Sequence, residues 1–372
     1  MPDVNGMEPT RAPSRLRQPA VLRRVGLLVT VVFLGAVLAF VRTGGTAVSA
    51  AYQVIDFGSL PEGDTRVVRG LSDGKQFVGG SHRPNVGHRA FLLSPTEREE
   101  IGVLTGGDYS VALAINPGSE VVGVSNTRTA LRAFRWTRQA GHQDLGTLPG
   151  DTGSAAYGIN RGREVVGFSS GPKGIRAVIW AKDGTIQSLG GLPGGDESRA
   201  AAINDLGDVV GTSGSPAGRR AVLWSGGIIQ DLGMLPGHSG SEAVAINHRR
   251  DIVGTSTRRG GSRAVMWPHA GAIQSLGVLA GGLHSRALAL NDPGDVVGTS
   301  ESARGPRAVL WTPHSGMQDL NDLIPAGSGV HLVAAVAINN HGDIVATGHD
   351  NDGTGHNHGG HDAPLRVLML VR

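Results

Sequence analysis

From residue 52 onward, hydrophobic residues fall in short runs, each closed within a few positions by Gly, Pro, Asn or Asp. The runs are rich in Val, Ile, Leu and Trp, side chains that suit a pleated, half-buried surface. No stretch of this part sustains an apolar period of 3.6 long enough to build a helix. The pattern therefore predicts short β-strands separated by turns.

The runs also repeat, and a fixed period outranks any local signal. An Ile-Asn phrase, with small changes, places its second residue at Ser72, Asn116, Asn160, Asn204, Asn247, Asn291 and Asn339. The spacings are 44, 44, 44, 43, 44 and 48 residues. An acidic residue follows four positions later in six copies, with Gln76 in the first, and then a segment such as Val209-Val210-Gly211-Thr212-Ser213. A loop leads to Arg-Ala-x-x-Trp, and the module ends on a segment like Ile229-Gln230-Asp231-Leu232-Gly233. Each piece reads as one strand, here called a to d in chain order. Four strands in each of seven modules predict an all-β fold, a seven-bladed β-propeller of four-stranded antiparallel blades.

The phase of the repeat separates a ring from an open solenoid. A d-type segment begins at Gln53, before any a strand, and a c-type segment, Arg366-Val367-Leu368-Met369-Leu370, comes last. A ring in which the N-terminal strand completes the last blade uses both and leaves no open interior edge. A solenoid calls instead for atypical caps at its two ends.

Most recurrent residues read as scaffold. Asn at the a–b turn suits a hairpin in which its side chain bonds the backbone ahead and a following Gly takes the positive φ. All five Trp occupy one position of strand c (Trp136, Trp180, Trp224, Trp267 and Trp311), which implies packing between blades. Arg opens strand c in every copy: Arg89, Arg132, Arg176, Arg220, Arg263, Arg307 and Arg366. Because b and c run antiparallel, the acid that opens b lies at the far end of the hairpin from this Arg. The expected Arg partners are the Ser that ends strand b, or nearby carbonyls, rather than acids of the same blade.

Charge and the N-terminus alter the picture of where the chain works. The formal net charge is +3, but six Arg lie before residue 51, against Asp3 and Glu8. The remainder carries 28 basic and 29 acidic residues. A near-neutral body offers no footprint for a phosphate backbone, so no nucleic-acid partner is expected. Residues 25–41 form an apolar run behind an Arg-rich stretch, and Val48-Ser49-Ala50 supplies a small-x-Ala site. Residues 1–50 read either as a secretory signal cleaved near Ala50 or as a retained membrane anchor. Both place residues 52–372 outside the cytoplasmic membrane, with membrane contact only through residues 25–41. Cys is absent, which removes disulfides and thiol chemistry.

Candidate chemistry is sparse. Gly167-Phe168-Ser169-Ser170-Gly171 matches a hydrolase elbow in letters, but an elbow needs a strand running into a helix, and here another strand follows. No zinc-protease, Walker or dinucleotide motif occurs, and the expectation is that the chain is not an enzyme. The b–c loop of the last module is unusually rich in His and Asp. Its His349, Asp350, Asp352, His356, His358 and His361 are candidate ligands of a divalent metal, the one cofactor considered; the plainer reading is a solvated loop. The b–c loops and d–a connections share one face of the ring and differ between copies. Asp108, Tyr109, Asp151, Asp196, Glu197, His238 and His284 on the connections are therefore the candidate ligand-contacting residues.

The phrases Leu131-Arg132-Ala133-Phe134-Arg135-Trp136, Gln143-Asp144-Leu145-Gly146-Thr147-Leu148-Pro149-Gly150 and Ala156-Tyr157-Gly158-Ile159-Asn160 resemble the HAF family of extracellular bacterial repeat proteins. The resemblance covers residues 52–372. Arg replaces the His of the family's His-Ala-Phe triplet, and Phe persists only at Phe91 and Phe134. The resemblance implies export and a repeat architecture, and it carries over no catalytic residue. Two functions follow as expectations. The first is an extracytoplasmic binding or scaffold module that takes a glycan, protein or surface ligand on its variable face. The second is a metal-dependent enzyme or metal-binding protein that uses the loop at 349–362.

Overall fold

The structure, a computed structural model, describes residues 50–58, 67–83, 87–351 and 365–372. Residues 25–41 and most of the His-rich loop lie outside them. Twenty-eight strands form seven antiparallel sheets of four, so the fold is the seven-bladed propeller that the repeat predicts. Blades 1 to 6 span residues 67–102, 110–144, 153–188, 198–231, 240–277 and 285–319. Blade 7 takes three strands from 330–371 and its outermost from Gln53–Asp56. Gln53 pairs with Val371 and Asp56 with Leu368, which is closure by the N-terminal strand as expected. Strand a of each blade touches strand a of the next, and that of blade 7 touches that of blade 1, so the a strands surround the axis. Among the described residues no helix is long and apolar enough to cross a membrane.

The core lies between the sheets. Seven apolar clusters form, one at each blade interface. Trp224 of blade 4, for example, packs with Val166 and Ala177 of blade 3, and Trp180 of blade 3 packs with Val122 and Ala133 of blade 2. The Trp residues thus pack between blades, as expected. Burying one such ring contributes on the order of 3 kcal/mol, so the stacking of blades, more than strand pairing, supplies the apolar stabilisation.

Polar staples fix the stagger of neighbouring blades. A Ser at the start of strand a accepts a hydrogen bond from the Ala amide of strand c in the preceding blade. The pairs are Ser110 with Ala90, Ser154 with Ala133, Ser198 with Ala177, Ser241 with Ala221 and Ser285 with Ala264, at 2.8 to 3.0 Å. The Ser that ends strand b accepts in turn from a Leu amide of the preceding connection, as Ser125 does from Leu104 at 2.9 Å. These hydroxyls are buried, and each such bond contributes about 1 kcal/mol net while its loss leaves a buried amide unpaired.

Strand a carries a β-bulge in every blade, two to three residues before the Asn (Ser72 in blade 1). The bulge brings the strand a carbonyl close to strand b, and this explains the Gly of the Val-Val-Gly segment. A Cβ on Gly211 would stand 2.0 Å from the Arg199 carbonyl oxygen, and one on Gly167 1.9 Å from that of Ala155. Only Gly fits at these two positions; blade 7, whose strand a carries a second irregularity, has Ala346 at the equivalent place.

The Asn side chains do more than close their own turns. Each Oδ1 accepts local backbone amides, as Asn204 does from Leu206 and Asp208 at 3.0 Å. Each Nδ2 then donates to the backbone carbonyl of the equivalent residue in the next blade: Asn116 to Asn160, Asn160 to Asn204, Asn204 to Asn247, Asn247 to Asn291 and Asn291 to Asn339, all at 3.2 Å. Asn339 donates to Ser72 at 3.3 Å. Six amides thus form a belt around the axis, open only where Ser72 replaces Asn.

The positive φ of this turn sits three positions after the Asn or Ser72, at Lys75, Ser119, Arg163, Gly207, Arg250, Gly294 and Gly342. Gly takes it as expected in blades 4, 6 and 7, while in blades 1 to 3 the Gly stands one residue before it. Four of the seven positive-φ residues are not Gly, and their side chains cross to the neighbouring blade. Arg163 pairs with Glu120 at 2.7 Å, Arg250 with Asp208 at 2.7 Å and Lys75 with Asp343 at 3.3 Å. Where the acid is replaced by Gln76, the partner is the uncharged Ser119, which donates to it at 2.6 Å. A gained contact offsets the strain of a left-handed backbone, which explains why Gly is not needed there.

Candidate functional site

The a strands enclose an axial channel with two chambers. Near the Asn turns a chamber of about 250 Å³ is lined by the residues that follow each Asn, among them Asp73, Arg161, Asp205, His248, Asp292 and Asn340. Deeper in, the residue before the Asn or Ser72 lines both chambers in six blades (Leu71, Ile115, Ile159, Ile203, Leu290 and Ile338), and with Ile246, which lines the smaller one, forms an apolar waist. Beyond the waist lies a larger cavity of about 550 Å³. Arg219, from the b–c loop of blade 4, stands on its wall, which places it towards the face of the connections.

Repeat position decides what each blade shows to this cavity. The residue three before the Asn, at the bulge, lines it in all seven blades: Arg69, Leu113, Tyr157, Ala201, Val244, Leu288 and Val336. The bulge leaves this residue without a ladder partner in blades 2 to 7, whereas Arg69 of blade 1 still pairs with Val78. The residue after it is Gly or Ala in every copy, because the next blade's backbone passes close: a Cβ on Gly158 would stand 3.2 Å from the Ala202 Cα. Two positions before the bulge, Arg199 and Glu242 also reach the wall.

Blade 3 and blade 4 build the most chemically distinct wall. Tyr157, 38% exposed, lies 5.9 Å from the Phe168 ring, and the Arg199 guanidinium stands 5.0 Å over that same ring. Glu197 bridges two cations, at 3.5 Å from Arg199 and 3.2 Å from Arg219. Among the described residues, Arg69, Arg199 and Arg219 line the cavity with Glu242 as the one carboxylate. Apart from Thr212 and Tyr157, the other side chains that line it are apolar. Such a chamber, of the size that holds a small molecule, can bind one by shape and orient it by charge.

At the opposite mouth His248 binds carboxylates through both ring nitrogens. Nδ1 lies 2.9 Å from Asp292 and Nε2 2.8 Å from Asp205. Two carboxylate partners require two N–H donors, so this imidazole is cationic. The Asp292 hydrogen bond, outweighing desolvation and joined by Asp205, raises its pKa above the usual value.

The connection residues expected to contact a ligand are distributed around the ring and are largely occupied in holding it. Asp151 is buried and accepts from Ser169 at 2.6 Å and Arg176 at 2.7 Å. Asp108 accepts from Asn126 at 2.6 Å, His238 meets Ser256 at 2.9 Å and His284 meets Ser262 at 3.1 Å. The Tyr109 carbonyl accepts from Ser125 at 2.9 Å, and its ring stands edge-on to His88 at 5.3 Å. Asp196 is exposed. Only Glu197 reaches the cavity wall, through its two Arg partners.

Of the six candidate metal ligands, Asp352, His356, His358 and His361 lie outside the described residues. His349 and Asp350 end strand b of blade 7, where Asp350 accepts from Arg366. Among the described residues no group of three or more His, Cys, Asp or Glu is placed to hold a metal. The Arg of strand c departs in part from expectation. Arg89, Arg220 and Arg263 do reach carbonyls of the next connection, at Asp108, Ser239 and Leu283. Acid pairs within a blade also form, Arg220 with Asp231 at 3.5 Å, Arg307 with Asp319 at 3.3 Å and Arg366 with Asp56. In these pairs the acid comes from strand d, on the other side of c. Arg366 also meets Asp350 at the far end of strand b, and the acid that opens strand b takes part in none of these pairs.

Tyr157, Phe168 and Arg199 lie on strands, where the regular repeat masks variation that is plain in the loops. The signal was there: Tyr157 and Phe168 put aromatic rings where no other copy has one.

No protein-family model and no curated protein matches the chain. Solved structures do match. A virginiamycin B lyase from Staphylococcus aureus aligns with a TM-score of 0.54 at 13% identity, over 86% of this chain and 99% of its own. A streptogramin B lyase gives 0.51 at 14%, over 87% and 99%. An oligogalacturonate lyase in complex with manganese gives 0.52 at 10%, over 86% and 96%. At these identities the likeness shows the fold alone, and the chain is a seven-bladed β-propeller. The comparison also corrects one expectation. Lack of a catalytic motif led to the view that the chain is not an enzyme, but propellers of this same architecture are named as lyases, so missing motifs do not exclude catalysis.

Proposed function

We propose that this propeller acts outside the cytoplasmic membrane and binds a small amphipathic molecule in its axial cavity. One observation carries the reading. Around a scaffold repeated seven times, the residue facing the cavity at the bulge changes from blade to blade, through Arg, Leu, Tyr, Ala and Val. A purely structural channel has no use for that asymmetry, whereas recognition of an asymmetric ligand requires it. The location rests on the N-terminal basic and apolar segments and on the resemblance of the repeats to the HAF family. Both support export, and the connections and b–c loops that frame the cavity mouth then face the cell's surroundings.

The test is a thermal-shift screen of a chemically mixed small-molecule library on residues 51–372, run beside Ala201→Trp. Ala201 lines the cavity, and an indole there fills part of it. Ligands that stabilise the parent and not the variant support the reading. If every ligand found stabilises both proteins equally, the cavity is not the binding site.

A further inference from the structure

We infer that the ligand of the axial cavity is an organic anion with a flat apolar body, its acid group bound by Arg199 and Arg219. This rests on the binding reading above and assigns its chemical class. Among the described residues three guanidinium groups and one carboxylate line the chamber, a balance that favours a negative charge. Glu197 contacts both Arg199 and Arg219. One carboxylate between two cations leaves a net positive charge while holding both side chains in place, an arrangement ready to bind an oxyanion without first ordering them. Arg199 also lies over the face of Phe168, beside Tyr157. A planar ring entering along Leu113 and Tyr157 meets the Tyr157 ring on the same wall as the Arg199 cation. Glu242, on blade 5, discourages a second acid group, so a single negative charge is favoured.

A matched pair of fluorescent probes tests this: 8-anilinonaphthalene-1-sulfonate and its uncharged relative N-phenyl-1-naphthylamine, titrated into folded residues 51–372. The sulfonate is expected to bind about tenfold more tightly than the neutral probe, the size of one charge-assisted hydrogen bond. Arg199→Met and, separately, Arg219→Met should each reduce that preference while leaving the neutral probe unchanged, and Tyr157→Ala should weaken both probes. Retained circular dichroism and melting behaviour identify which Arg variant remains folded, and either one suffices. If both probes bind equally, or if neither Arg variant alters the ratio, the anion assignment is wrong while cavity binding stands. If Ala201→Trp leaves both titrations unaltered, the cavity reading itself fails.

Discussion

Ser72 is the one break in the amide belt. Its hydroxyl accepts from Gln76 at 3.2 Å and so closes the local turn, but it has no amide to pass to the next blade. Ser72→Asn should complete the belt and raise stability by about 1 kcal/mol, read as a higher urea midpoint with unchanged slope. pH dependence is also a residue-scale matter. Burial opposes ionisation of Asp208, but hydrogen bonds from Ser225, Asn204 and Arg250 outweigh it and hold its pKa below the usual value. Its contribution is therefore present above the ordinary carboxylate pKa and lost as pH falls through the lower folded value. His248 runs the other way. Its raised pKa makes its contribution complete below the ordinary imidazole value and lost as pH rises through the folded one. Urea midpoints of the parent and of His248→Gln should thus differ most in mildly acid buffer and converge at alkaline pH. The turn role of Asn was legible because its reach is local. Its link to the next blade was not, since no local rule pairs residues 44 apart. The left-handed site was legible where Gly207, Gly294 and Gly342 occupy it and hidden in blades 1 to 3, where Gly74, Gly118 and Gly162 stand one position before it.

Strands were the most legible level, because four short runs per module leave little choice of pairing. What the pattern of runs did not reveal was the bulge in strand a, which adds a residue without disturbing hydrophobic alternation enough to notice. Its trace in the sequence is the Gly of strand b. Gly211→Ala should cost about 3 kcal/mol or more, since the added carbon meets a backbone oxygen that cannot move aside. Gly227→Ala, in the c–d turn of the same blade, faces open space but a φ of +79°, and should cost about 1 kcal/mol. Comparing the two melting curves separates a steric demand from a conformational one. The Arg of strand c shows the limit of pairwise reasoning along a hairpin. The acid that opens b stands out of reach as expected, while the one on d, directly alongside, and Asp350 at the far end of b in blade 7 supply the partners that the pattern did not suggest.

At the scale of the ring, closure was readable from the offset of the repeat, and the inward-facing surface was not, because nothing in one module says which side meets the axis. Removing residues 1–57 should expose the Arg366–Val371 edge and leave the Phe57 and Ile55 places in the blade 7–blade 1 cluster empty. The shortened protein is expected to unfold at lower temperature and to associate through that edge, which light scattering during heating would detect; a monomer melting like the parent would show the closing strand to be dispensable. The same pairing has a topological consequence. Gln53 stands opposite Val371, and Arg372 reaches the Tyr52 hydroxyl at 3.1 Å, so residues 51 and 372 are separated by no more than the width of a hairpin. A short covalent turn between them would make residues 51–372 an endless loop of modules. Reopened at any other d–a connection, such a loop specifies the same ring, and the order in which a ribosome delivers the blades becomes a matter of history and not of architecture.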